Sequence, residues 1–177
     1  MKYAGIGSRE TPDGILSLMY LIGMLFSVKG ITLCTGAAKG ADQAFVKGAV
    51  KMGGNIELYL PWSSYEKDFV NSIECKVYVH DGNTNFDIVE RLHPAGNRLK
   101  DSVKKLHARN VSIIEGCDLV VCWTKDGKAT GGTGMGIRIA NELDIPVFNI
   151  HNEQDVGSFQ KWLEEFESEY CKRQHSV

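Results

Sequence analysis

Ile31-Thr32-Leu33-Cys34-Thr35-Gly36-Ala37-Ala38-Lys39-Gly40-Ala41-Asp42 is the stretch whose reading decides the fold. Ile31–Cys34 is too short for a helix and reads as a buried strand. Thr35–Lys39 then turns on small residues. Ala41–Met52 follows with Ala44, Phe45, Ala49 and Val50 apolar at helical spacing, and Gly53-Gly54 closes it. Strand, glycine-bearing turn and helix together form the repeating unit of a parallel sheet.

The same unit recurs on both sides. Upstream, Lys2–Ile6 is a strand, Gly5–Arg9 its turn, and Pro12–Val28 a helix that starts near Thr11 or Asp13 and stops at Gly30. Downstream, Ile56–Leu60 is a strand closed by Pro61. Further on, Arg98–Glu115 is a helix, Asp118–Trp123 a strand, Thr133–Leu143 a helix and Pro146–Ile150 a strand. Ser158–Tyr170 is an amphipathic helix within residues 156–172. Residues 62–96 interrupt the pattern and read as an irregular insertion, a lid or a dimer contact. Within it, Val77–Val79 is a short strand and Asn85–Leu92 a helical turn. The expected architecture is a single α/β domain over residues 1–177: a Rossmann-like, doubly wound, mainly parallel sheet with helices on both faces. The expected order, from one edge, is third, second, first, fourth and fifth strand. Ligands of such sheets bind where the carboxyl ends of the first and fourth strands meet.

Composition narrows the function classes. The chain has 177 residues, 43% hydrophobic, with a net charge of −2. It has apolar surface enough for a core of one domain, which excludes intrinsic disorder. The longest apolar stretch, Ile15 to Val28, is broken by Ser17, Gly23 and Ser27, so no membrane span or signal is expected. Cys34, Cys75, Cys117, Cys122 and Cys171 show no C-x-x-C spacing. They read as reduced thiols of a cytoplasmic protein, with no metal site and no cofactor. A pI near 6.2 argues against non-specific binding of long nucleic acids. Residues 91–128 nevertheless carry eight bases against four acids.

Three turns carry anion-binding chemistry at one sheet edge. The first is Gly7-Ser8-Arg9, with a hydroxyl donor and a guanidinium fork. The second holds Gly36, Lys39 and Gly40. The third runs from Lys125 through Lys128 to Gly131-Gly132-Thr133-Gly134 and opens a helix, whose dipole and free N–H groups favour an anion. Arg109 and Asn110 lie near the end of the preceding helix. Neither a Walker A loop nor a dinucleotide fingerprint is present. Tyr65, Trp62 and Trp123 are able to stack a base, although packing is the simpler role for each. The carboxylates that suit acid or base work near this edge are Asp42, Asp87, Glu90 and Glu115, with helix capping an alternative for Asp42. Among His80, His93, His107, His151 and His175, His107 is expected to be a satisfied structural histidine.

Four motifs in order carry a resemblance: G-S-R at 7–9, T-G-A-A-K-G-A-D at 35–42, R-N at 109–110 before I-I-E-G-C-D-L-V-V, and G-G-T-G at 131–134. Together they resemble the Rossmann-like core of DNA-processing protein A (Smf). The chain is also similar, in part, to the lonely-guy phosphoribohydrolases; the wider group is the SMF/lonely-guy, or SLOG, superfamily. The resemblance spans nearly all of residues 1–150. It implies a phosphate or nucleotide pocket and points to Arg9, Gly36, Lys39, Gly40, Asp42, Arg109, Asn110 and Gly131–Gly134. Val111 stands where the R-N-R of the first family ends. The lonely-guy motif supplies a carboxylate just after its glycines, where this chain has Ile137-Arg138. The first acid after Gly134 is Glu142, about 12 Å along the helix.

The leading expectation is therefore a binder of a nucleotide or nucleotide-derived phosphate. Gly7, Ser8, Arg9, Gly36, Lys39, Gly40, Arg109, Asn110, Lys128, Gly131, Gly132, Thr133 and Gly134 would hold it. One alternative is N-glycosidic hydrolysis of nucleoside 5′-monophosphates, with Arg109, Glu115 or Asp42 as catalytic candidates. Another is a single-stranded DNA-binding module. Open sheet edges and the aromatic 62–86 stretch point to a homodimer or higher homo-oligomer.

Overall fold

Short apolar runs alternate with helices along the whole chain, and the computed structural model describes residues 1–80 and 84–174. Part of the 62–96 segment and His175 fall outside those residues. The strands are β1 (Lys2–Gly7), β2 (Thr32–Thr35), β3 (Ile56–Leu60), β4 (Lys76–Val79), β5 (Leu119–Trp123) and β6 (Val147–Asn149). The helices are α1 (Asp13–Val28), α2 (Ala41–Lys51), α3 (Lys67–Asn71), α4 (Phe86–Leu92), α5 (Asp101–Ile114), α6 (Gly131–Glu142) and α7 (Glu153–Gln174), with a 3₁₀ turn at Gly96–Arg98. The sheet order is β4-β3-β2-β1-β5-β6, and every pairing is parallel. The five strands expected from the sequence keep their expected order, and Lys76–Val79 extends the sheet at one edge.

Side chains alternate between two cores, as a pleated strand requires. In β5, Leu119, Val121 and Trp123 face one core, which holds Tyr3, Phe26, Phe45 and Phe159. Val120 and Cys122 face the other, with Ala108, Ile113, Ile114 and Met135. Helices α1, α2 and α7 thus cover one face, and α5 and α6 the other. Two glycines let α1 and α2 touch. A Cβ on Gly23 would lie 2.4 Å from the Phe45 carbonyl oxygen, and one on Gly48 would lie 2.0 Å from that of Tyr20. Strand β4 is exposed along its length, which is why so short an apolar run was legible only as Val77–Val79. Among the described residues, no helix is long and apolar enough to cross a membrane.

Three boundaries differ from the sequence reading. Helix α5 starts at Asp101, because Gly96 has a φ of +50° and Leu99 is extended. Helix α6 starts at Gly131 after an extended Thr130, so the glycines expected in a loop form its first turn. Packing of Gly136 on Ile6 overrides the poor helix propensity of those glycines. Helix α7 begins at Glu153, with Glu153 and Asp155 in its first turn, where acids oppose the helix dipole favourably.

Candidate functional site

The chain leaves β1 toward β2 on one side and reaches β5 on the other, so the carboxyl ends of β1 and β5 diverge. A cavity of about 530 Å³ opens there. The turn after β1 lines it with Gly7, Ser8, Arg9 and Glu10. The turn after β5 and the start of α6 add Thr124, Lys125, Thr130, Gly131, Gly132 and Thr133. Val103, Leu106, His107, Arg109 and Asn110 of α5 form another wall, and Ala38, Asp42 and Tyr65 complete it.

Arg109 is the most constrained of these residues. It is only 6% exposed, and its Nε and Nη1 have no hydrogen-bond partner. Its Nη1 lies 3.8 Å from Asp42 Oδ2 and its Cζ 5.8 Å from the centre of the Tyr65 ring. The guanidinium fits only because residue 36 is glycine: a Cβ there would fall 1.0 Å from Nη1. Gly36 is therefore a packing slot for Arg109 and not a cradle for phosphate.

Asp42 corrects a second expectation. Its carboxylate is buried and accepts the Ala38 N–H at 3.2 Å. Burial pushes its pKa up, while the Arg109 charge and the N–H groups of Ala38, Gly7 and Gly36 pull the other way. The amides of Gly7 and Gly36 thus already face an internal anion. Asp42 holds Arg109 and the two turns together; it is neither a cap (Gly40 is the residue before α2) nor an exposed acid.

Helix α6 supplies the free amides. Its first internal bond runs from Gly134 N–H to the Thr130 carbonyl at 2.8 Å, so the N–H groups of Gly131, Gly132 and Thr133 have no acceptor within the helix. Asn110 Nδ2 donates to the Gly132 carbonyl at 3.1 Å and fixes this turn against α5. Arg9 Nη2 donates to the Tyr65 hydroxyl at 3.3 Å, while Trp62 packs edge-on to the same ring. The Ser8 hydroxyl oxygen accepts the Glu10 N–H at 3.0 Å, which leaves its own hydrogen to donate. Lys125 Nζ lies 3.6 Å from Glu10 Oε2 at the exposed mouth.

Several expected residues stand outside the wall. Lys39 and Lys128 are exposed, and neither lines the cavity. Gly40, at a φ of +86°, packs on the backbone of Ser8 and Arg9; Gly134 packs on Ala129. Glu115 follows the far end of α5, beside the start of β5, and is exposed at the opposite edge of the sheet. Glu90 pairs with Lys104. Trp123 belongs to the core.

His107 also departs from expectation, since it faces the cavity and its Nδ1 is buried without a partner. Burial, then the neighbouring His93, Arg109 and Arg138, hold its pKa down to about 4. Glu10, Val103, Leu106 and Thr124 went unnoticed in the sequence. Glu10 directly follows the G-S-R motif, and Val103, Leu106, His107 and Asn110 share a 3–4-residue phase; those were the available signals.

The sequence matches no protein-family model and no curated protein. Solved structures do match. DNA processing protein A from Helicobacter pylori, described as binding single-stranded DNA in a unique mode, superposes with a TM-score of 0.61 at 18% identity. The match covers 84% of this chain and 64% of that one. DNA processing protein A from Streptococcus pneumoniae gives 0.60 at 22%, covering 84% and 49%. The chain has the SLOG-type Rossmann-like fold. The Moco carrier protein of Chlamydomonas rheinhardtii shares this SLOG fold with a TM-score of 0.54 at 16% identity, covering 93% and 84%. The chain therefore spans about half to two thirds of the two DNA processing proteins and most of the carrier. At these identities the likeness is one of fold.

Proposed function

We propose that the chain binds a nucleotide, or a phosphate compound derived from one, in the cavity at the carboxyl ends of β1 and β5. Arg109 carries the reading: a buried guanidinium with two unpartnered nitrogens, on the wall of a cavity of about 530 Å³. That volume suits a nucleotide-sized ligand. A buried cation with open donors beside a helix N-terminus favours a phosphate, and each charge-assisted bond contributes about 1.5–3 kcal/mol. The amides of Gly131, Gly132 and Thr133, with Arg109, grip the phosphate. Ser8, Arg9 and Lys125 approach it from the mouth. Tyr65, Val103 and Leu106 offer the apolar side on which a base rests. Gly7, Gly36, Gly40 and Gly134 shape the turns, and Asn110 positions Gly132.

Isothermal titration with nucleoside 5′-mono- and diphosphates and with oligo-dT tests this. Saturable binding of a mononucleotide, weakened at least tenfold by Arg109→Ala, is expected. No heat from any nucleotide, or binding indifferent to both Arg109→Ala and Arg9→Ala, refutes it. Tight binding of oligo-dT alone would favour the DNA-binding reading.

One observation supports hydrolysis as a second reading. Glu10 gives the wall an accessible carboxylate, unlike the buried Asp42. Release of free base from a nucleoside 5′-monophosphate, abolished by Glu10→Gln, would support it; no released base would leave binding alone. The apolar exposed side chains of β4, Val77, Tyr78 and Val79, fit a homo-oligomer, which light scattering measures. The buried thiols Cys34, Cys117 and Cys122 fit the reducing cytoplasm.

A further inference from the structure

We propose that His107 is a second recognition group for the ligand's phosphate and takes up a proton when that anion seats beside Arg109. The proposal rests on the nucleotide reading of the cavity and adds to it one residue and one proton.

The geometry begins with α5. Residues 103, 106, 107 and 110 lie along one helical face, and all of them line the cavity. His107 is 8% exposed, and its Nδ1 is buried without a partner. Buried polar atoms are nearly always bonded, so an orphaned nitrogen on a cavity wall points to a ligand atom. Arg109 presents two more such nitrogens to the same space. Three open nitrogens on one wall form a converging set for an anion with several oxygens.

The surroundings of His107 couple that set to a proton. From the turn after α4, the His93 ring lies 4.7 Å away, centre to centre. His93 Nδ1 accepts the Ala95 N–H at 3.0 Å, so it offers no proton through that atom. From α5 comes Arg109, and from α6 Arg138, which donates to the Ala129 carbonyl at 2.6 Å. In the preceding turn of α5, Lys104 is paired with Glu90 of α4. The groups that act on His107 electrostatically are thus cationic or basic, and they hold the free imidazole neutral, with a pKa near 4. A phosphate dianion reverses the sign of this field. The imidazole then binds a proton and donates it in a hydrogen bond to a phosphate oxygen.

Histidine Cε1–H signals followed by NMR from pH 8 to 4.5 test the proposal, with 5′-AMP or inorganic phosphate absent and then saturating. His107→Gln identifies the His107 signal, and sequential assignment of the wild type does so if that variant fails to fold. Without ligand, the signal is expected to remain that of a neutral ring down to pH 5. With 5′-AMP, its midpoint should rise by at least one pH unit. The ratio of 5′-AMP association constants, wild type over His107→Gln, should then grow about tenfold between pH 8 and the raised midpoint. That ratio cancels the phosphate's own ionisation. Bound 5′-AMP with an unmoved midpoint, or a ratio flat with pH, overturns the proposal and leaves the nucleotide site standing. If neither 5′-AMP nor phosphate binds at any pH, the nucleotide reading fails and the proposal with it.

Discussion

Gly36→Ala should evict Arg109. The added Cβ would sit 1.0 Å from Nη1 and 2.2 Å from Cζ, whereas ordinary contact begins near 3.4 Å. The guanidinium must therefore move by more than 2 Å. Its separation from Asp42 Oδ2 would grow from 3.8 Å to roughly 6 Å. At an effective dielectric of about 20, that change weakens the attraction by roughly 1.5 kcal/mol. The φ of Gly36 is not positive, so alanine brings no backbone strain of its own. For a chain of this size the loss corresponds to a fall of about 3–6 °C in Tm. Urea unfolding of wild type, Gly36→Ala, Arg109→Ala and the double variant isolates the contact. The same alanine should be nearly silent once Arg109 is gone, giving a coupling energy of roughly 1.5 kcal/mol. An equal cost in both backgrounds would refute the assignment of Gly36 as the slot for this side chain.

Other outcomes follow from the same geometry. His107 has a folded pKa of about 4 against an ordinary value of 6.5, so the unfolded chain binds the proton more readily. Stability should therefore fall as pH drops from 6.5 toward 4, by up to about 1.4 kcal/mol per unit, and His107→Gln should flatten that slope in pH-dependent urea titrations. Gly48→Ala puts a Cβ 2.0 Å from the Tyr20 carbonyl oxygen and should force α1 from α2, costing about 1–3 kcal/mol in the same assay. Lys125→Ala removes only an exposed pair with Glu10 and should change stability by less than about 0.5 kcal/mol, while reducing the salt dependence of phosphate binding in calorimetry.

The strand order was legible because the strand-forming runs are apolar, short and bounded by glycine or proline. Ile31–Cys34 before Thr35-Gly36 and Ile56–Leu60 before Pro61 carry their own stop signals. Edge strand β4 was half legible, since a strand exposed along its length needs no apolar alternation. The site was legible as a set of turns but not as a set of roles. A glycine beside a strand end looks the same whether a phosphate or a side chain approaches it. At Gly36 the approaching group is Arg109, which comes from a helix 73 residues further along the chain. The same limit hid Asp42, whose carboxylate takes the amides that a phosphate would otherwise use. His107 was misread because burial and an unsatisfied nitrogen both depend on neighbours from α4 and α6.

A crystal structure of the protein soaked with 5′-AMP tests the central claim most directly. The account expects the phosphate within hydrogen-bond distance of the Gly132 and Thr133 N–H groups and of the Arg109 guanidinium, with the base against Tyr65. Nucleotide bound at another surface, or a phosphate in this cavity that leaves Arg109 Nε and Nη1 without a contact, would contradict it.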